Sequence, residues 1–218
     1  MRAAGLADAT IHELPAIVSF PQHAECRVVA PVEIALQANT LGHSLLTLED
    51  GIEGELLDAG GGAFSDYAGK DARGRIILTE LSYAPARHEK QRIAGMKGAI
   101  GAVMMNWGHP ENAAVPFGSV KPVWGNPTPD TVRTEMPTIP CIGIARTAGL
   151  ALREMLGKGP VKVWFRTYVE NGWYPVQITV ASMPAPATSP EADDFVLVGG
   201  HQDSWPGEAA TDNAAGNA

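Results

Sequence analysis

The sequence is short of most features that would classify it at sight. It holds only two cysteines in 218 residues, Cys26 and Cys141, which argues against a disulfide framework of the small secreted kind. Each sits in an apolar, strand-like run, so two buried thiols are expected, and a single bridge is the alternative in an exported protein. A basic run is also missing. With 16 Lys and Arg against 24 Asp and Glu, the formal net charge is −8, and neither nucleic acid nor an anionic membrane surface is expected as a partner. No apolar run approaches the roughly 20 residues that cross a bilayer, and the first six residues, Met1 to Leu6, lack the apolar core of a signal peptide. Internal repeats and long low-complexity stretches are absent. What is there is a 45% hydrophobic content, enough for one large domain or two small ones with real cores.

The richest stretch is Phe195 to Ala218, FVLVGGHQDSWPGEAATDNAAGNA. Phe195–Val198 is a continuous apolar run between Asp193-Asp194 and Gly199-Gly200, the pattern of a strand covered on both faces of an α/β sheet. His201 then falls just past its carboxyl end, the edge where open α/β sheets bind ligands. Asp203 follows two residues later, close enough to orient the imidazole. Thr211-Asp212 reads as a helix N-cap, where the free N–H groups favour an ionised carboxylate. These residues alone leave two readings open: a divalent-cation site, or a structural histidine beside an ordinary helix cap.

Upstream, Thr10–Pro15 and Cys26–Ile34 read as sheet strands edged by prolines, and His12, His23 and His43 read as surface or packing residues. Leu45–Leu48 and Gly54–Asp58 read as strands parted by the turn dipeptide Asp50-Gly51. Gly60-Gly61-Gly62 has no Gly-Lys-Thr element behind it, so a turn is expected rather than a phosphate cradle. Gly74–Glu80 reads as a strand, Ala86–Lys97 as a helix with Ile93, Ala94 and Met96 on its apolar face, and Gly98–Asn106 as another buried strand. Residues 107 to 137 form a long Pro/Gly-rich connection. Its aromatics Trp107, Phe117 and Trp124 argue against disorder and are expected to pin it to its own domain, with His109 facing solvent. Ile139–Ile144, a helix over Arg146–Leu156 and strands over Val161–Tyr168 and Gln177–Met183 complete the pattern. The last of these is expected to lie antiparallel beside Phe195–Val198.

Two resemblances then organise the chain. The VLVGGHQDSW element followed by GEAATDNAAGNA resembles the M28 family of zinc aminopeptidases and carboxypeptidases. That resemblance implies His201 as a zinc ligand, Asp212 as the carboxylate bridging two zincs, and Asp203 as the catalytic-site carboxylate that steadies His201. The order of Gly-Arg-Ile-Ile-Leu strand, Lys/Arg-bearing helix and Gly-Ala-x-Gly-Ala-Val strand resembles the protease-associated (PA) domain over roughly residues 37–165. Together they imply an α/β fold in which a β-rich PA domain with flanking helices is inserted into the N-terminal part of a mixed-sheet α/β zinc peptidase domain. Residues 1–36 would supply N-terminal strands of the peptidase domain, 37–165 the PA domain, and 166–218 the start of the zinc site.

The function this implies is zinc-dependent exopeptidase activity, with two zinc ions activating a water to hydrolyse peptide bonds near a chain terminus. Substrates would be peptides or small peptide-like molecules, and the family implies a secreted or periplasmic location. Glu208 is a weak candidate base. The family's base and remaining ligands are expected beyond residue 218, so the chain is expected to be a fragment, inactive and poor at holding zinc by itself. The alternative is a non-catalytic PA-domain binding or receptor-like relative. The direction of attack and the oligomeric state are left open.

Overall fold

The strands Ile76–Glu80 (β5) and Gly101–Met105 (β6) are buried along their whole length, as parallel strands covered on both faces must be. In the computed structural model, which describes residues 6, 8–121, 125–184 and 194–201, they belong to a closed barrel. Around it run His23–Ala30 (β2), Ile34–Thr40 (β3), Cys141–Ile144 (β7), β6, β5, Ile52–Asp58 (β4) and Lys162–Arg166 (β8). Strands β4 to β7 are mutually parallel, and β2, β3 and β8 close the circle through antiparallel pairs. Between β5 and β6 comes the helix Arg87–Met96 (α1), a short helix Val132–Glu135 (α2) precedes β7, and Arg146–Leu156 (α3) follows it. Thr10–Pro21 (β1) and Val169–Val180 (β9) pair as a separate two-stranded ribbon.

Because side chains alternate along a strand, β5, β6 and β7 feed two cores at once. Ile76, Leu78, Val103, Met105, Ile142 and Ile144 join Val28, Val163 and Phe165 in one core. Ile77, Ala102, Met104 and Cys141 join Ile93 and Ala94 of α1 in the other. Leu152 brings α3 onto the first core. Gly149 sets the closeness of that approach, because a Cβ there would lie 2.4 Å from Met105 Cβ.

The same alternation separates the cysteines. Cys26 lies in the first core and Cys141 in the second, both free and buried. Burial pushes the Cys26 thiol up to about 12 and raises Cys141 as well, which removes the reactive thiolate at neutral pH. Neither thiol is therefore expected to react with a disulfide-exchange reagent at pH 8 until the chain is unfolded, when both should. Prompt labelling of the native protein, followed by absorbance, would contradict this burial.

Several expectations need correction. The chain divides into a compact unit Ala16–Tyr174 and a second made of Met1–Pro15 with Pro175–Ala218. β2, placed by the sequence ahead of a boundary at Gln37, is a barrel strand bonded to both β3 and β8; its partner β8 lies far along the chain, where local pattern gives no signal. Leu45–Leu48 is not a strand. Thr47 and Thr167 exchange backbone-to-hydroxyl hydrogen bonds of 2.9 and 3.1 Å, and Ser44 Oγ accepts from the Cys141 amide at 2.8 Å, so side chains hold this segment in an irregular path while Leu46 and Leu48 face solvent.

Phe195–Val198 is also not a strand in the described structure. Its four side chains are 83 to 90% exposed, and β9, its expected neighbour, pairs with β1 instead. An apolar run becomes a buried strand only when other strands cover it, and none of the described residues does so.

Of the aromatics expected to pin the connection from 107 to 137, Phe117 is half-buried with its carbonyl accepting from Arg87, and Trp124 lies outside the described residues. Trp107 is 65% exposed, whereas Val120 is fully buried, and Pro116 is buried too. Gly42 and Ser119 form an isolated bridge. Next to it stands His43, at φ 62°, with Nδ1 2.9 Å from Ser119 Oγ and Nε2 3.2 Å from the Ile17 carbonyl. Burial lowers its pKa, which suits a neutral ring that donates to the carbonyl and accepts from the hydroxyl. His109 is exposed near Glu111. The Gly60-Gly61-Gly62 segment is a turn: Gly60 N donates to Asp58 Oδ1 at 2.9 Å.

Candidate functional site

Of the residues singled out from the sequence, His201 is described and exposed, in a segment without regular secondary structure. Asp203, Asp212 and the weaker candidate Glu208 lie outside the described residues. Among the described residues, no group of three or more His, Cys, Asp or Glu comes together in a way that would hold a metal ion. As a donor set, an imidazole with carboxylates suits zinc, so the chemistry of the His201, Asp203 and Asp212 side chains fits that ion, although only the first of them has a described position.

The barrel carries a second constellation that sequence reading missed. The carboxyl ends of the four parallel strands bring together Asp58 from β4, Glu80 from β5 and Asn106 after β6, with Arg146 and Arg153 of α3. Glu80 is almost fully buried, with 3% of its side chain exposed. Arg146 Nη1 donates to Glu80 Oε1 at 2.7 Å, to Ser82 Oγ at 3.0 Å and to the Asn106 carbonyl at 3.4 Å. Arg153 donates to the other Glu80 oxygen, and its Nε reaches Asp58 Oδ2 at 2.8 Å. Burial on its own would raise the Glu80 carboxyl, but the hydrogen bonds from Arg146, Arg153 and Ser82 outweigh it and hold the group below its ordinary range. A carboxylate with both oxygens taken by guanidinium groups is a poor proton acceptor. Its chemistry is structural: it fixes α3 to the strand ends.

Lys90 of α1 is the other buried charge, 1% exposed. Its ammonium donates to the carbonyls of Gly61 and Tyr83, and burial brings its pKa down to about 8. The thiols are unreactive for the reasons given above. The unit Ala16–Tyr174 thus presents held charges and a cleft at the strand ends, and its His43–Ser119 contact has the second ring nitrogen tied to the Ile17 carbonyl. No helix of the described structure is long and apolar enough to cross a membrane.

Comparison with known proteins sets this fold in context. No family model matches the sequence, and no curated protein does. Solved structures do match. A peptidase M28 precursor from Shewanella amazonensis SB2B is similar over 99% of this chain and 49% of its own, at a TM-score of 0.75 and 18% identity. An aminopeptidase from Aneurinibacillus sp. strain AM-1 is similar over 86% of this chain and 40% of its own, at 0.65 and 17%. BSAP, a zinc aminopeptidase from Bacillus subtilis, is similar over 82% of this chain and 37% of its own, at 0.56 and 20%. At these identities the likeness is one of fold, a mixed and strand-rich α/β arrangement. The chain spans half or less of the length of each.

Proposed function

We propose that this chain is part of an M28-type zinc exopeptidase, with the barrel as a PA domain set into the peptidase chain. The observation that carries the reading is the likeness at TM-score 0.75 over 99% of the chain to a structure described as a peptidase M28 precursor. The GGHQD element beginning at Gly199 adds to it, because it supplies the donor types that a zinc site needs.

In this reading His201 and Asp212 hold zinc, and Asp203 hydrogen-bonds the His201 ring so that one nitrogen stays unprotonated and aimed at the metal. Zinc bound there, two ions in the proposed site, would polarise the scissile carbonyl and lower the pKa of a bound water. The chain's own contribution is orientation: Gly199-Gly200 would let the backbone turn sharply before His201, and Asp212, whose sequence pattern reads as a helix N-cap, would keep its charge there. In this reading the PA domain is a binding module.

The test is turnover by the whole protein on peptides with free and with blocked termini. Hydrolysis of single residues from a free end, abolished by chelation and restored by zinc, is the expected result. A folded, zinc-free protein without peptidase turnover would favour the receptor-like alternative instead. Cleavage of doubly blocked peptides at internal bonds would overturn the exopeptidase assignment.

A further inference from the structure

The barrel has a cleft whose charge is of one sign. It lies at the carboxyl ends of β5 and β6, the edge where parallel sheets receive ligands, and measures about 560 Å³. Its walls come from the segment Leu81–Ala86, the start of α1, Asn106-Trp107 and Pro116-Phe117. Arg87 and Lys90 are its charged residues, and no carboxylate lines it. A second cleft beside β4 makes a useful contrast: there Arg75 is balanced by Glu55 at 3.4 Å.

The two cations in the first cleft have no such partner. Arg87 donates to the Phe117 carbonyl, and its Nε is buried with no hydrogen-bond acceptor. Lys90 is held by two carbonyls, which are dipoles rather than charges. The acids near enough to influence Lys90 are already engaged. Glu80 is bound by Arg146 and Arg153, and Asp66 accepts from the Ala63 amide at 2.9 Å. The N-cap of α1 is Ala86, which has no side-chain acceptor to offer the helix, so the positive end of the helix adds to the same field. Gly118 is required for this arrangement. A Cβ there would fall 1.7 Å from Arg87 Nη1, so the guanidinium occupies the space that a side chain at this position would need.

Aromatic surface frames the charge. Tyr83 and Trp107 are 63 and 65% exposed, with Pro85, Pro116 and Phe117 behind them. Exposed aromatics around a polar centre are the usual composition of a peptide-binding surface. An inorganic anion would occupy only a small part of such a volume, whereas a few peptide residues fill a cleft of this class.

We propose that this cleft binds a short acidic peptide segment, a carboxylate seated against Arg87 and the start of α1 and the peptide body lying against Tyr83 and Trp107. The proposal does not depend on the peptidase reading, since all its residues belong to the barrel unit.

The probe is the tetrapeptide acetyl-Ala-Phe-Ala-Glu with a free carboxyl terminus, titrated calorimetrically into the 218-residue chain beside its neutral counterpart acetyl-Ala-Phe-Ala-Gln amide. Binding of the acidic peptide is expected at a Kd of roughly 0.1 to 1 mM, at least about tenfold tighter than the neutral one, and weakening severalfold as salt is raised from about 0.05 to 0.5 M. Arg87→Gln should bring the acidic peptide to the affinity of the neutral one. That change also removes the Phe117 contact, so Trp107→Ala, at an exposed position, serves as the second variant. With an unchanged circular dichroism spectrum it should weaken the acidic peptide about five- to tenfold. Equal affinity for the two peptides, no binding at 10 mM, unaltered affinity in Trp107→Ala, or displacement by inorganic phosphate at matching affinity would each overturn the assignment.

Discussion

Replacing Glu80 by alanine is expected to destabilise the barrel by about 3 to 5 kcal/mol, the range for removing one partner of a buried ion pair. Arg153 keeps Asp58, with two hydrogen bonds of 2.8 and 3.3 Å. Arg146 keeps only Ser82 and the Asn106 carbonyl, at 12% side-chain exposure, and most of the cost is this guanidinium left without its counter-charge. For a unit of this size the loss corresponds to a fall in Tm of roughly 6 to 20 °C, read by thermal melts at pH 7. The pH dependence follows from the direction of the Glu80 shift. A carboxylate held below its ordinary value when folded adds stability that is present above the unfolded pKa of about 4.3 and is lost as pH falls through the lower folded value. The native protein should therefore lose stability below about pH 4 more steeply than Glu80→Gln, which has no such proton to take up. Equal Tm values for native protein and Glu80→Ala at pH 7 would show that the network contributes nothing.

The larger functional effect belongs to the carboxyl-terminal element. On the proposed zinc-peptidase reading, His201→Ala in the whole protein is expected to lower peptidase turnover by at least about 10³-fold, because the lowering of a bound water's pKa towards neutrality depends on the metal being held. Asp203→Asn should act more mildly. An amide still accepts a hydrogen bond from imidazole but carries no charge to raise its basicity, so zinc affinity should fall by roughly 10- to 100-fold. Excess zinc should then rescue turnover in Asp203→Asn and not in His201→Ala. Rescue of both to the same level would mean that His201 is not a ligand.

Much of the barrel was legible because its parallel strands are unbroken apolar runs. Ile76–Glu80 and Gly101–Met105 fall inside the stretches expected as strands, and α3 spans the residues expected of it, Arg146–Leu156. Local pattern failed where the determining partner is distant. β2 owes its place to β8, with Cys26 opposite Phe165, and nothing near residue 26 signals that pairing. The Glu80 network was hidden for the same reason, its arginines lying 66 and 73 residues away. The only local sign was an acid at the end of an otherwise apolar strand. At Phe195–Val198 the pattern promised cover that the described residues do not provide. The candidate zinc donors were visible for the opposite reason. His201 and Asp203 are two residues apart, so short-range spacing alone displays them, while the positions of Asp203 and Asp212 lie outside the described residues.

The measurement that bears most directly on the zinc-peptidase reading is the metal content of the whole protein, purified without added zinc and compared with its His201→Ala variant by native mass spectrometry. The reading predicts two zinc ions per active chain, and loss of zinc together with turnover in His201→Ala at an unchanged melting profile of the barrel. Full zinc occupancy in His201→Ala, or peptidase turnover by a protein free of metal, would contradict it.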